Sequence, residues 1–212
     1  MSLCIKMLST PQSIDDSTKI ENSPKKMDLV IWTLNSAKTL AFTLQSIDKV
    51  IPKECIGQKI MIDAHSTDAT TKLGKKYGWN VIDAKEVGIP NQANQALQMV
   101  NTEFFASFEH DVVLNEHWFS KVMKILHDDP LVAVAQGVRV TTNPVFKTIE
   151  EICLERGVPY TSIDNNIYRT QVIKKLGGFD SKYLISCDRN LKERVTEAGY
   201  KWVSDKTIVS DH

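Results

Sequence analysis

The sequence predicts an α/β fold, a Rossmann-like and mainly parallel sheet with helices on both faces. Three observations predict it. Apolar runs of strand length alternate with amphipathic stretches of helix length as far as Pro130, the pattern of βαβ units. The first run, Leu29-Val30-Ile31-Trp32, is apolar at every position, as a strand buried on both faces requires. Hydrophobic residues make up 42% and charged residues 25%, which is a mixture that builds a packed core.

Each element follows in order. Residues 1–27 include the polar stretch Ser9 to Met27, without periodicity and with two prolines, and are expected to be a flexible tail. The first strand ends at Thr33-Leu34-Asn35-Ser36, and Leu40, Leu44, Ile47 and Ile51 then mark one face of a helix. Lys59 to Asp63 reads as a second strand, with Ser66 placed to cap a helix from Thr67 towards Tyr77. Val81-Ile82 is a short third strand, and Gly88-Ile89-Pro90 introduces a helix from about Asn91 to Val100. Phe104 to Phe108 is a fourth strand, followed by a helix over Glu116 to His127. Beyond it come a long strand (Val132 to Val140), a helix (Val145 to Leu154), a strand (Asn165 to Arg169), a helix (Thr170 to Leu176) and the turn Gly177-Gly178. A last helix runs from about Asp188 to Ala198, and Gly199 can end it in the left-handed conformation. Residues 28–212 are thus expected to form one domain, residues 28–130 as its first half and 131–212 as its second.

Composition excludes several function classes. Lys plus Arg and Asp plus Glu both count 26, so no overall field favours a polyanion, and nucleic acid is not expected as a partner. No apolar run approaches the ~20 residues of a membrane-spanning helix, and Met1 to Leu8 lacks the apolar core of a signal peptide. A cytoplasmic location is expected. Cys4, Cys55, Cys153 and Cys187 are scattered, which argues for reduced thiols used as small apolar fillers rather than a zinc site or a disulfide framework.

Ligands of an open parallel sheet bind beyond the carboxyl ends of its strands. Asp63 ends the second strand, and Glu109 with Asp111 follows the fourth. A single strand-end acid is commonly a turn former. Two strand ends bringing acids to one edge suit a cation-and-diphosphate site instead.

Those residues carry a family resemblance. Val30-Ile31-Trp32-Thr33-Leu34-Asn35, then Asp63-Ala64-His65-Ser66-Thr67-Asp68, then Glu109-His110-Asp111 resemble the family 2 glycosyltransferases of the GT-A fold. There the second segment usually reads D-D-G-S-x-D and the third D-x-D. Leu176-Gly177-Gly178-Phe179-Asp180 is similar to the family's G-G-F-D-E element, and Ser186-Cys187-Asp188-Arg189-Asn190-Leu191 to its E-D-x-x-L block, followed by Arg194, Gly199-Tyr200 and His212. The order holds from about Asp28 to His212.

The resemblance implies roles. Thr33 and Asn35 would line the nucleotide pocket, and Asp63 would accept an N–H of the base. Asn94 would sit on a helix closing over the nucleotide, or else be an exposed helix residue. Asp68 is better read as an acid favoured by the dipole of its helix. Asp111 is expected to ligate Mn²⁺ or Mg²⁺, with Glu109 reaching the metal through water or contacting the sugar, and His212 near the metal or the diphosphate. His110 is not counted as a ligand, because neighbours on an extended segment point to opposite faces. Since His212 is the last residue, the chain is expected to be a shortened form of something longer. Asp188 is the expected general base, with the cap of its helix as the plainer alternative. One of Arg189, Lys192 and Arg194 could meet the diphosphate, though the three read mainly as a solvated helix face. The tryptophans could be sugar platforms, but Trp32 and Trp118 fit core packing better.

The expected function is that of an inverting, metal-assisted glycosyltransferase of hexosyltransferase type. It would use a UDP- or GDP-linked sugar donor and a glycan, lipid-linked or protein acceptor, met at the membrane surface if lipid-linked. Ala64, Glu109 and Cys187 depart from the family's motifs and support an alternative, a domain that holds nucleotide or glycan without catalysis. A sugar-nucleotidyltransferase would need a Gly-rich basic loop after the first strand, which Thr33-Leu34-Asn35-Ser36 is not.

Overall fold

The structure, a computed structural model, describes residues 26–212. The tail expected over residues 1–27 lies outside the described residues except for its last two. Strand β1 (Met27–Thr33) starts two residues before the expected apolar run, with Met27 already buried. Then follow α1 (Leu40–Val50), β2 (Ile56–Asp63), α2 (Thr70–Lys76), β3 (Asn80–Asp83), α3 (Ile89–Met99), β4 (Phe104–Phe108), α4 (Trp118–Asp128) and β5 (Val132–Val140). The second half continues with α5 (Pro144–Glu155), β6 (Asn166–Arg169), α6 (Thr170–Lys175), α7 (Cys187–Glu197) and β7 (Lys201–Asp211).

The seven strands form one sheet in the order β3-β2-β1-β4-β6-β5-β7. Pairing is parallel except at β6, which runs antiparallel to both β4 and β5. Alternation along β1 divides the core in two. Leu29 and Ile31 pack with Leu40, Leu44 and Ile47 of α1 and with Trp118, Val122 and Leu126 of α4. Val30 and Trp32 face the other way, with Ala93 and Ala96 of α3 and Leu191 and Val195 of α7. Helices therefore cover both faces, as the continuous apolar run of β1 requires. Trp32 and Trp118 are both buried, in agreement with their reading as core residues.

Two of the differences from the sequence expectation bear on the site. Helix α2 starts three residues later than the Ser66 cap implied, because Ser66 turns its N–H and its hydroxyl to Asp63 instead. Asp68 then accepts from the Thr70 N–H at 2.9 Å and leads the chain into the helix. Strand β7 was not anticipated at all. Its sequence, Lys-Trp-Val-Ser-Asp-Lys-Thr-Ile-Val-Ser-Asp, breaks its own alternation where its pairing with β5 slips between Gln136 and Val138.

That slip sits at Gly137. A Cβ there would lie 2.6 Å from the carbonyl oxygen of Ile208 and 3.0 Å from its Cγ2. Gly137→Ala must push β7 away from β5, and the expected loss, read from urea denaturation, is about 1–3 kcal/mol.

Candidate functional site

The topology brings six chain segments to one edge of the sheet. Strands β1, β2 and β4 end there with Thr33, Asp63 and Phe108. Because β6 is reversed, it starts at that edge, immediately after Asp164 and Asn165. Parallel to each other and antiparallel to β6, β5 and β7 end there too, the first near Arg139 and the second at Asp211 and His212. The switch in strand order falls between β1 and β4, where such sheets open a crevice. A cleft of about 390 Å³ lies there, lined by Trp32, Thr33, Val87, Gly88, Gln92 and Glu109 among others.

Backbone strain gathers at the same edge. The four non-glycine residues with left-handed φ among those described are Asn35 (47°), His65 (60°), Asn165 (61°) and Ser186 (67°). They follow β1 and β2 and precede β6 and α7. Strain of this kind concentrates at functional sites, where the surrounding structure holds it in place.

Asp63 organises the first two loops. Its carboxylate is fully buried and accepts hydrogen bonds from the Thr33 hydroxyl (2.7 Å), the Ser66 hydroxyl (2.7 Å) and the Ser66 N–H (2.7 Å). Asn35 ties the same loops together: its N–H donates to the Ser66 hydroxyl at 2.8 Å, and its Oδ1 accepts from the Thr67 N–H at 2.9 Å. Thr33 and Asp63, expected to face a nucleotide, thus hold each other, while Asn35 remains exposed.

Glu109, Asp111 and His212 come together at this edge. One ligand atom each from Glu109, Asp111 and His212 lies within 4.8 Å of the others. Nε2 of His212 stands 3.4 Å from Asp111 Oδ2. His212 is anchored, its N–H donating to the Val140 carbonyl at 3.0 Å and its carbonyl accepting from the Thr142 N–H at 2.8 Å. The other Asp111 oxygen, Oδ1, is buried without a partner among the described residues. An orphaned carboxylate oxygen beside a second carboxylate and an imidazole is the donor set that a Mn²⁺ or Mg²⁺ ion takes, so these residues fit such an ion. His110 stays outside the cluster and shares a hydrogen bond with the Thr39 hydroxyl at 3.0 Å.

The charges perturb one another. Burial pushes Asp111 up, but the hydrogen bond with His212 and the charges of His110, His212 and Arg139 outweigh it and leave its carboxyl low. The same hydrogen bond raises His212 above its ordinary 6.5 against the effects of burial and Arg139.

Two further residues of the site were not singled out from sequence. Nη1 of Arg139 donates to Glu109 Oε2 at 2.8 Å and to Asp164 Oδ2 at 3.4 Å. Asp164 is fully buried. Burial and the charge of Glu109 push its carboxyl far above the usual range, with Arg139 pulling the other way. A signal was available in each case: an arginine near the end of the otherwise apolar Val132–Val140, and the polar triplet Asp164-Asn165-Asn166 ahead of a short strand.

Asp188 lies in the first turn of α7, half-buried and with no donor among the described residues. It does not cap the helix; Ser186 occupies that position without a side-chain cap bond. It lines a cavity of about 650 Å³ with Val158, Pro159, Thr161 and Lys192. Burial, together with the charges of Asp188 and Glu109, pushes the buried Cys187 thiol up to about 11, so one thiol senses both the start of α7 and the acid cluster.

Other expectations are corrected by geometry. Asn94 neither closes over the cleft nor stands free. Its amide clamps the backbone of Phe179, donating to the carbonyl at 2.6 Å and accepting from the N–H at 2.8 Å. Arg194 is committed to the turn before α7, on the carbonyls of Leu176 (2.7 Å) and Gly178 (2.8 Å). Lys192 donates to the Thr161 hydroxyl at 3.1 Å, and of the three basic residues Arg189 is left exposed. Cys55, Cys153 and Cys187 are free thiols, and Cys4 lies outside the described residues.

The family model described as Glycosyl transferase family 2 matches residues 28–191. Among curated proteins, the chain is 25% identical over 166 residues to the O-antigen chain rhamnosyltransferase WbaN of Salmonella anatum, covering 68% of this chain and 52% of that one. Among solved structures it is similar to the mannosyltransferase PcManGT from Pyrobaculum calidifontis in complex with GDP-Man and Mn²⁺. That match has a TM-score of 0.71 and 18% identity, and covers 90% of this chain and 57% of that one. It is also similar to S. aureus TarS 1-349 in complex with UDP, with a TM-score of 0.68 and 19% identity, over 88% of this chain and 60% of that one. The fold is of the GT-A type, and the chain spans about half the length of the curated relative.

Proposed function

The chain belongs to glycosyltransferase family 2, and on that premise we propose that it transfers a glycosyl unit, with inversion, from a UDP- or GDP-linked sugar to an acceptor hydroxyl. The observation that carries the reading is the meeting of Glu109, Asp111 and His212 beside the cleft between β1 and β4. Solved structures of the same fold, in complex with GDP-Man and Mn²⁺ or with UDP, support it.

Each group has a part. The cleft takes the nucleotide, with Thr33, Asn35 and Asp63 fixing the shape of its wall through their shared hydrogen bonds. A Mn²⁺ or Mg²⁺ ion held by Asp111, His212 and Glu109 would neutralise charge on the departing diphosphate. Asp188 takes the proton from the acceptor hydroxyl as its oxygen attacks the anomeric carbon on the face opposite the diphosphate. The acceptor, whether glycan, lipid-linked or protein, enters from the cavity beside α7. No helix among the described residues is long and apolar enough to cross a membrane, so a lipid-linked acceptor would be met at the bilayer surface.

A second reading, a domain that binds nucleotide without catalysis, is favoured by Glu109 already being paired with Arg139 and by Ala64 and Cys187 at motif positions. Calorimetry with UDP and GDP, with and without Mn²⁺, joined to a donor-hydrolysis assay, separates the two. Metal-dependent binding with turnover supports the transferase, and binding without any turnover supports the module. The metal-dependent part should also vary with pH. A protonated imidazole cannot ligate, and Asp111 holds the proton on His212 above the ordinary 6.5. Mn²⁺-dependent affinity should therefore rise as pH increases through and beyond 6.5, by up to about tenfold per unit below the pKa, with protons released on binding. A flat profile would remove His212 from the ligand set.

A further inference from the structure

Helix α5 carries an apolar stripe that stays open among the described residues. Phe146, Ile149 and Ile152, at steps of three, share one side of the helix and are 59, 56 and 40% exposed. Lys147, Glu151 and Glu155 fall on the opposite side. An exposed apolar patch of this kind beside a functional cavity marks a binding surface. The stripe leads inward. Ile149, Cys153 and Leu154 line a cavity of about 260 Å³ together with Val158, Pro159 and Tyr160. Val158, Pro159 and Thr161 also line the cavity of Asp188, so the two adjoin.

The polar groups of the smaller cavity are already engaged within the protein. Arg139 is held by Glu109 and Asp164, and its backbone N–H donates to the Tyr160 hydroxyl at 3.3 Å. Glu150 Oε2 accepts from the Thr141 N–H at 2.6 Å, and the Ser162 hydroxyl donates to the Asp164 carbonyl at 2.8 Å. Apolar surface is what remains for a ligand, and it suits an alkyl chain better than a sugar ring dense with hydroxyls. A bilayer surface is a poorer match. Glu150, Glu151 and Glu155 outnumber Lys147 on α5, and anionic headgroups would repel them.

We propose that this groove holds the tail of the acceptor. The acceptor is an amphiphile, its hydroxyl-bearing head beside Asp188 and its alkyl or isoprenoid chain along Ile149 and Val158. This rests on the reading of Asp188 as the base and of its cavity as the acceptor's. Dissociation constants of n-butyl, n-hexyl and n-octyl β-D-glucosides, below their micellar concentrations, test it with one head and three tails. Wild type should bind the octyl compound at least about tenfold tighter than the butyl one, as partial burial of the added methylenes gives. In Ile149→Gln and Val158→Gln that ratio should fall to about threefold or less, while UDP binding with Mn²⁺ stays unchanged. Both side chains are about half exposed, so the fold does not depend on them. No dependence on chain length in the wild type, or the same dependence in both variants, overturns the proposal. So does a parallel loss of UDP affinity, which would place the effect in the fold. Variants that lose binding to phosphatidylcholine vesicles, or lose a dimer seen by sedimentation, while keeping the chain-length effect would give the stripe to a bilayer or a second copy instead. Wild type that shows the effect but binds neither UDP nor GDP overturns the transferase reading, and the acceptor assignment with it.

Discussion

Asp188→Asn is expected to lower the transfer rate by roughly 10²–10⁴-fold while leaving nucleotide affinity unchanged. The two side chains have the same shape, but the amide cannot accept the proton of the acceptor hydroxyl. In the fold this carboxylate is half-buried, unpaired among the described residues, and open to the cavity beside α7. A carboxylate kept only for stability would be engaged, as Asp63 and Asp28 are; Asp28, fully buried, accepts from the N–H groups of Gln58 (2.8 Å) and Asn101 (2.9 Å). The one structural benefit of Asp188 is its charge in the first turn of α7, about 0.3–1 kcal/mol at such a place. Denaturation should therefore show a small loss of stability beside a large loss of turnover. Steady-state rates together with calorimetric titration of UDP and GDP make the comparison. Retained turnover would move the base elsewhere.

The sequence placed acids at the sheet edge but not the bonds that hold them. Continuous apolar runs such as Leu29 to Trp32 carry enough pattern to place the central strands and the helices covering both faces, because a doubly covered parallel sheet leaves few other ways to bury them. The acids after β2 and β4 were legible for the same reason: a strand end in such a sheet is a place in space. Strand β7 was not legible, since its alternation is interrupted where its pairing with β5 slips. Without β7 nothing in the sequence says what holds His212, which the fold fixes by backbone hydrogen bonds to Val140 and Thr142. Arg139 and Asp164 were passed over because their partners are 30 and 25 residues away in the chain, and no local period records such a pairing. Asn94 shows the opposite error. Its helix was correctly placed, but the backbone of Phe179, not a ligand, occupies its amide.

Asp111→Asn is expected to weaken Mn²⁺ binding by on the order of a hundredfold or more, and to carry metal-dependent nucleotide binding down with it. The two acids of the cluster are not equivalent. Glu109 already has Oε2 on the guanidinium of Arg139 at 2.8 Å, so part of its charge is compensated within the protein. Asp111 has one oxygen 3.4 Å from His212 and the other buried without a partner, so its charge is the one available to a hard cation. A neutral amide oxygen in its place is a weak ligand. Glu109→Gln should accordingly cost less Mn²⁺ affinity than Asp111→Asn. The pH profile adds a second signature. In the metal-free protein the Asp111–His212 pair stabilises the fold where the carboxylate is ionised and the imidazole protonated. That contribution is lost as pH falls through the lowered pKa of Asp111, or rises through the raised pKa of His212. Removing the charge at position 111 lets His212 fall back towards its ordinary value. The residual Mn²⁺ binding of Asp111→Asn should therefore set in at lower pH than in the wild type, even though it is weaker everywhere. Calorimetric Mn²⁺ titrations across pH read both effects. Loss of affinity without the displaced onset would mean that Asp111 binds the cation but does not control the imidazole beside it.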